Sequence, residues 1–193
     1  WGARAVTIAN PIKSVLFERN KINKTMLAIG RLTKQKGFDR LLKIWSVYYG
    51  INPGWKLLIA GDGEEKESLN KLAKDLNITG SVKFLGKVKD TDELYKCSDI
   101  LLMSSHYEGL PMVLLEAQTW GLPTVVYDCP TGPKEIIING YNGYLVSDGS
   151  KEQFVESMLE LSNNETLYYS MVENIKEINP NFREDLISQK WKS

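Results

Sequence analysis

The sequence predicts an α/β fold of the doubly wound, Rossmann-like type, with a mostly parallel sheet of about six strands and helices on both of its faces. Six short runs are apolar almost from end to end, as strands buried on both faces of a parallel sheet are. Amphipathic stretches separate the first of these runs, and such alternation is typical of layered α/β domains. The predicted strands are residues 25–30, 55–61, 81–86, 99–104, 123–128 and 143–146.

The predicted helices follow from apolar side chains at helical spacing. Residues 38–50 and residues 64–78 repeat an apolar position every three or four residues, and Gly50 ends the first of them. After residue 146 the strand-like runs stop, and residues 150–193 predict further helices, the last of them after Pro180. The side chains expected to face the sheet from the first two helices are Leu41, Leu42, Trp45, Tyr49, Leu69, Leu72, Ala73 and Leu76.

Residues 1–193 are interpreted as one domain, with residues 1–23 as a lead-in strand or linker. A chain of 193 residues buries roughly 70% of the surface that it exposes when unfolded, which is enough for one core. Because the chain begins with Trp1 rather than Met, we expect it to be a piece of a longer protein.

The composition argues against some classes of function. Basic and acidic residues number 24 each, so the formal net charge is zero and a surface for nucleic acid is not expected. Cys97 and Cys129 lack the spacing of a metal site or of a disulfide framework, which favours a reducing, cytoplasmic compartment. The sequence contains no signal-peptide pattern and no apolar stretch that approaches the roughly 20 residues of a membrane span.

The loop after the first predicted strand carries two cations. Arg31 and Lys36 lie five positions apart where the next helix opens, and Gly37 permits a tight turn into that helix. Ligands of an open parallel sheet bind beyond the carboxyl ends of its strands. A guanidinium, an ammonium and free helix N–H groups together suit a diphosphate. A solvated basic loop is the alternative that this segment alone leaves open.

The stretch SHYEGLPMVLLEAQ contains two glutamates. Glu108 lies in a loop, Pro111 suits the first helical position, and Glu116 follows about one and a half turns into the helix. A carboxylate that accepts hydrogen bonds from two adjacent hydroxyls recognises ribose or a sugar well, although a helical glutamate can also simply face solvent. His106 is expected to be an ordinary loop residue. The backbone N–H groups expected to point at a ligand belong to Gly109, Leu110, Met112 and Val113.

Five segments together resemble the C-terminal domain of the group 1 (family 4) retaining glycosyltransferases of the GT-B fold. The resemblance runs from about Asn10 to the end of the chain, and it rests on an Arg-x4-Lys pair, a Glu-x7-Glu pair and a closing strand in the right order. Any one of these motifs alone is weak. The segments are GRLTKQKGFDRLL, LIAGDGEEKESL, VKFLG, SSHYEGLPMVLLEAQTWGLPTVV and GPKEIIINGYNGYLV.

The resemblance implies a role for each site residue. Arg31 and Lys36 match the pair that neutralises the diphosphate of the donor, and Glu116 matches the glutamate that binds its ribose. Glu108 and the Gly-Leu-Pro backbone after it match the loop that holds the transferred sugar and phosphate. The base would lie around Lys87 and Val88, bound largely by main-chain groups. The implied donor-binding residues are Arg31, Lys36, Lys87, Val88, Glu108, Gly109, Leu110, Pro111, Met112, Val113 and Glu116, and the implied catalytic residues are Glu108, Arg31 and Lys36.

The resemblance also implies an activity. It is transfer of a hexose from a nucleoside diphosphate sugar, most often a UDP-sugar in the family, to a saccharide or lipid-linked acceptor with retention of configuration. No cofactor and no metal are implied, and no Asp-x-Asp pair is present to hold a cation. The resemblance implies an acceptor site in an N-terminal domain that we expect to be absent from this chain, so we expect the chain to fold but to transfer no sugar. The full-length protein is expected to act in polysaccharide biosynthesis in the cytoplasm. Contact with the cytoplasmic face of the membrane is compatible with this expectation.

Three alternatives stay open at this point. A nucleotide-sugar epimerase of the same two-domain fold would share the diphosphate and ribose recognition. A non-catalytic nucleotide-binding or protein-interaction module is the second. A flavodoxin-like receiver domain is disfavoured because no acidic cluster follows the first strand. Two-carboxylate glycosidase chemistry fits poorly, because Glu116 is predicted within a helix and not opposite Glu108 across a cleft.

Overall fold

A computed structural model describes residues 18–178 of the chain. The strands are β1 (Thr25–Ile29), β2 (Lys56–Ala60), β3 (Val82–Gly86), β4 (Ile100–Met103), β5 (Thr124–Asp128) and β6 (Gly143–Ser147). The helices are α1 (Phe38–Ile51), α2 (Lys66–Asp75), α3 (Asp92–Cys97), α4 (Met112–Thr119), α5 (Pro133–Ile136), α6 (Lys151–Asn163) and α7 (Glu165–Ile178), and a 3-10 turn covers Lys34–Lys36.

The strands form one sheet in the order β3-β2-β1-β4-β5-β6, and every neighbouring pair is parallel. Each predicted strand is confirmed to within a residue or two at its ends. The order reverses between β1 and β4, because the chain builds outward from β1 in one direction and then returns to add β4 on its other side. In open sheets of this type the crevice outside the carboxyl ends of the strands, at this reversal, is where ligands bind.

The sheet is covered on both faces, as predicted. Side chains of β1 alternate between the two layers: Met26 and Ala28 pack with one buried cluster, whereas Leu27 packs with the other. The first cluster includes buried side chains of α1, α2, α6 and α7, and the second includes those of α3, α4 and α5. Both faces of the sheet are therefore buried, which explains why the strands are apolar almost throughout.

One detail of the predicted helices is incomplete and another is wrong. In α1 Tyr49 packs, half-buried, against the core as expected, but the fully buried aromatic residue at the end of the apolar stripe is Tyr48. The stripe continues from Ile44 by four residues, which leads to Tyr48. Pro111 is not the first helical residue: its backbone is extended (φ −76°, ψ 92°), and α4 begins at Met112.

Other predictions lie outside the described residues. These predictions are the helix after Pro180 and most of the lead-in strand or linker at residues 1–23. Within residues 18–178, none of the helices combines the length and the apolar character that a membrane crossing requires.

Candidate functional site

A cleft opens at the carboxyl ends of β1, β2 and β3, with a volume of about 420 Å³. It brings together three of the predicted site residues, Arg31, Lys87 and Val88. Because the three strands are parallel neighbours, the loops that follow them meet at one edge of the sheet. The residues that line the cleft are Ile29, Gly30, Arg31, Ala60, Gly61, Asp62, Gly63, Lys87, Val88 and Thr91.

The two cations that line this cleft have no counterion among residues 18–178. Arg31 is exposed, and its guanidinium makes neither an ion pair nor a hydrogen bond with any residue between 18 and 178. The ammonium of Lys87 is equally unpaired within that range. Asp62, the carboxylate that lines the cleft, lies 3.5 Å from Lys66 Nζ instead. The cleft therefore offers uncompensated positive charge beside glycine backbone that carries no side chain to obstruct a ligand, a combination that favours an anionic ligand.

Lys36 approaches the same cleft along Gly30 but is already paired. A Cβ at Gly30 would lie 3.4 Å from Lys36 Cδ, so the lysine stem runs over this part of the cleft wall. Its Nζ lies 2.6 Å from Glu108 Oε1, and the Ser105 hydroxyl donates to the same oxygen at 2.5 Å. The Glu108 side chain is only 6% exposed. Such hydrogen-bond and ion-pair partners offset the cost of burying a carboxylate to this extent. The structure thus joins Lys36 and Glu108, whereas the sequence assigned them to different parts of a ligand.

The loop that carries Glu108 is fixed by α1. Gly37 has φ 63°, and a Cβ there would lie 2.3 Å from the Ser104 carbonyl oxygen, so this contact requires glycine. The guanidinium of Arg40 donates to the carbonyl oxygens of Ser104 and Ser105 and, at 2.8 Å, to Asp148 Oδ1. Sequence reasoning missed Arg40, because an arginine in the first turns of an amphipathic helix is indistinguishable from a solvated one.

The loop after β5 supports the Gly-Leu-Pro turn from the other side. Thr131 Oγ1 donates to the Glu108 carbonyl oxygen, and Gly132 has φ 89°. A Cβ at Gly132 would lie 2.4 Å from the Gly109 carbonyl oxygen, so a larger residue would displace the turn. The backbone N–H groups of Gly109 and Leu110 donate to no acceptor within residues 18–178. They keep the hydrogen-bonding capacity that the sequence analysis assigned to a ligand.

Glu116 is the fifth residue of α4 and is half-buried. Its Oε2 accepts a hydrogen bond of 2.6 Å from the hydroxyl of Tyr95, whose side chain is 1% exposed. Burial first, and then the negative charge of Glu116, raise the pKa of Tyr95 far above its usual range, so the hydroxyl stays a donor. The sequence offered no signal for this partner, since Tyr95 reads as an ordinary core residue of a short helix.

His106 is placed away from the cleft of Arg31. It is exposed, its backbone N–H donates to the Gln35 carbonyl oxygen at 2.8 Å, and its side chain lines a separate cavity of about 300 Å³ beside α2. This agrees with the expectation of a loop residue. Among the residues that the structure describes, no group of three or more His, Cys, Asp or Glu side chains is arranged to hold a metal ion.

The family profile described as "Glycosyl transferases group 1" matches residues 13–178 of this sequence. The chain belongs to the group 1 glycosyltransferases. It is 38% identical over 191 residues to an uncharacterised glycosyltransferase of Haemophilus influenzae, a match that covers 97% of this chain and 54% of the relative. It is 41% identical over 166 residues to the amylovoran biosynthesis glycosyltransferase AmsD of Erwinia amylovora, covering 86% of this chain and 46% of that protein. The chain thus spans about half the length of these two relatives.

Solved structures agree with this assignment. The pneumococcal O-GlcNAc transferase GtfA, in complex with UDP and GlcNAc, superposes with a TM-score of 0.89 at 26% identity over 97% of this chain and 38% of that one. The C-terminal domain of the group 1 family protein LpcC of Francisella tularensis superposes with a TM-score of 0.74 at 22% identity. That match covers 93% of this chain and 98% of that one. The fold is therefore that of the C-terminal, Rossmann-like half of the group 1 GT-B glycosyltransferases.

Proposed function

We propose that this chain is the donor-binding half of an enzyme that transfers a hexose from a nucleoside diphosphate sugar, with retention of configuration, to a saccharide or lipid-linked acceptor. One observation carries the proposal above the others: the unpaired guanidinium of Arg31 lies in the cleft at the carboxyl edge, beside the chain reversal of the sheet. A pyrophosphate placed there would receive its first strong, charge-assisted contact.

The diphosphate is the leaving group of the proposed reaction, and two cations would stabilise it. Arg31 is free to bind it in a bidentate manner, while Lys36 is held at the cleft wall by Glu108. Because Lys36 is held in place before the ligand arrives, its charge needs little reorganisation as negative charge grows on the leaving oxygen. Arg31 and Lys36 are accordingly the proposed catalytic cations, and a divalent metal is not required in this scheme.

The nucleoside would lie between the loop after β3 and helix α4. Lys87 and Val88 line the cleft, and their main-chain groups would bind the base. Glu116 would accept hydrogen bonds from the ribose hydroxyls, since its Oε1 has no partner within residues 18–178. This placement gives the carboxylate inside an otherwise apolar helix a reason to be there.

The transferred sugar would lie against Glu108 and the Gly-Leu-Pro backbone. Lys36 and Ser105 both contact Oε1 of Glu108, which leaves Oε2 without a partner within residues 18–178. That oxygen can accept a sugar hydroxyl, and the free N–H groups of Gly109 and Leu110 can meet the sugar or its phosphate. Pro111, Met112 and Val113 would complete this wall where α4 begins.

Uridine is the proposed base, and polysaccharide biosynthesis is the proposed pathway. The pneumococcal neighbour was solved with UDP, and the Erwinia relative is named for amylovoran biosynthesis. Two free cysteines, Cys97 and Cys129, suit the proposed cytoplasmic location, at the membrane face when the acceptor is lipid-linked.

A transfer assay tests the reaction class. The protein that carries this chain together with its remaining half should transfer labelled hexose from a UDP-sugar to an acceptor, and NMR of the product should show the anomeric configuration of the donor. The 193-residue chain alone should transfer none, because one side of a cleft cannot hold donor and acceptor at reacting distance. Inversion at the anomeric carbon, or interconversion of the donor sugar without an acceptor, would contradict the proposal.

A further inference from the structure

Tyr95 connects the short helix α3 to the carboxylate of Glu116. Its side chain is 1% exposed and belongs to the same buried cluster as Leu101 and Leu115, so the ring has a fixed position. Its hydroxyl donates to Glu116 Oε2 at 2.6 Å. An O–H donor this close to a carboxylate oxygen forms a charge-assisted bond, which is stronger than a bond between neutral groups. One oxygen of Glu116 is therefore held from inside the protein.

Arg19 fastens the two helices that form this contact. Its guanidinium donates to the Tyr95 carbonyl oxygen at 2.7 Å, to the Trp120 carbonyl oxygen at 3.0 Å, and to the Ser98 carbonyl oxygen. The Trp120 N–H in turn donates to the Glu116 carbonyl oxygen at 3.1 Å. One buried cation thus ties the backbone at the end of α3 to the backbone at the end of α4, which keeps the residues that carry the tyrosine hydroxyl and the carboxylate within reach of each other.

We infer that Tyr95 is a positioning and specificity-determining residue: by holding Oε2 of Glu116, it presents Oε1 to the ribose hydroxyls and so favours ribonucleotides. The inference rests on the proposed function, which places a nucleoside diphosphate in the cleft. A glutamate side chain loses rotamer freedom when it binds a ligand, and a carboxylate that is already oriented has less to lose. The benefit exists only for ligands that carry the hydroxyls.

The test compares two ligands on two proteins by calorimetry. Tyr95→Phe removes only the hydroxyl, and it should weaken binding of UDP by about two- to tenfold, the cost of one unrestrained side chain. The same substitution should leave the binding of 2′,3′-dideoxyuridine diphosphate unchanged, because this nucleotide has no ribose hydroxyls that could donate hydrogen bonds to Glu116. In a Glu116→Ala background, Tyr95→Phe should have no further effect on UDP.

Tyr141→Phe is the matched control. The Tyr141 hydroxyl donates to Glu177 Oε2 at 2.9 Å, so this variant also breaks a tyrosine–glutamate bond, but neither residue lines the cleft. It should leave the affinity for UDP unchanged. Thermal unfolding of both variants checks that each remains folded at the titration temperature.

The outcomes separate the inference from the proposed function. If the unaltered chain binds no UDP, the proposed function fails and the inference fails with it. If it binds UDP and Tyr95→Phe does not weaken that binding, only the inference is overturned. Equal losses for UDP and the dideoxy nucleotide, or an undiminished loss in the Glu116→Ala background, would show that Tyr95 supports the fold rather than the carboxylate, and would also overturn it.

Discussion

The two halves of the sheet's carboxyl edge differ in whether their charged side chains are paired. On the β1–β3 half, Arg31 and Lys87 line an open cleft and have no partner within residues 18–178. On the β4–β5 half, both glutamates already have a partner: Glu108 contacts Lys36 and Ser105, and Glu116 accepts a hydrogen bond from Tyr95. The cations of the first half are available to a ligand, while the glutamates of the second half already take part in contacts that hold its own loops and helices.

This difference teaches which residues serve binding alone. An exposed, unpaired cation contributes little to folding, so its removal should be felt mainly by an anionic ligand. A buried ionic contact behaves differently, since removing one partner leaves the other charge desolvated. Substitutions on the two halves should therefore separate ligand affinity from stability, and variants at four positions test this in order of decreasing effect.

Lys36→Met should have the largest effect, because Lys36 takes part in both halves. The methionine keeps the apolar stem but leaves Glu108, whose side chain is 6% exposed, without its ion-pair partner. We expect the free energy of unfolding to fall by about 2 kcal/mol, and the affinity for a nucleoside diphosphate to fall about tenfold or more. Urea unfolding and calorimetry measure the two effects.

Two further variants control this experiment. Lys43→Met removes an ion pair of similar type with Asp39, but both side chains there are about half exposed, so stability should barely change. Adding Glu108→Gln to Lys36→Met should recover part of the lost stability, since the stranded charge is then gone. A Lys36→Met variant as stable as the unaltered chain would show that the contact with Glu108 carries no weight in folding.

Arg31→Ala should affect the ligand alone. We expect affinity for a nucleoside diphosphate to fall by about ten- to a hundredfold, the value of one charge-assisted contact. The unfolding free energy should change by less than about 0.5 kcal/mol, as at other exposed positions. Lys34→Ala, in the same loop but lining the other cavity, should change neither quantity. Equal losses of affinity in both variants would mean that the loop acts through its general positive charge.

The arrangement of the cleft could be predicted because it depends on strand order alone. Once β1, β2 and β3 are parallel neighbours, the loops that hold Arg31, Lys87 and Val88 must meet at one edge. The Arg-x4-Lys motif marked the first of these loops, and the resemblance to the family marked the loop of Lys87 and Val88. Apolar periodicity predicted the strands themselves, whereas their order in the sheet comes from the structure.

The contacts of the β4–β5 half could not be predicted from the sequence. Lys36 and Glu108 are 72 residues apart, and they meet because β4 lies beside β1 rather than beside β3. Tyr95 and Arg40 have the sequence environment of a core tyrosine and a surface arginine. Their partners are set by the angle and depth at which α1 and α3 pack on the sheet, and no local pattern encodes either quantity.

The two glutamates should bind different parts of the donor, and substituting either should reduce affinity less than Arg31→Ala does. Glu116→Gln should weaken binding of UDP itself by several-fold, because its carboxylate is proposed to meet the ribose. Glu108→Gln should leave UDP binding nearly intact and remove most of the additional affinity for a UDP-sugar. Titrations of each variant with UDP and with UDP-glucose measure the division. If both variants lose affinity for UDP equally, the proposed roles are wrong.

Titration of the 193-residue chain with UDP, GDP and ADP in the presence of a metal chelator tests the central claim most directly. That claim is that the cleft beside Arg31 binds a nucleoside diphosphate through the protein's own cations. We predict saturable binding of at least one of the three, with UDP the tightest, and a loss of about ten- to a hundredfold in the Arg31→Ala variant. Absence of binding for all three nucleotides, or binding that Arg31→Ala leaves unchanged, would contradict the account.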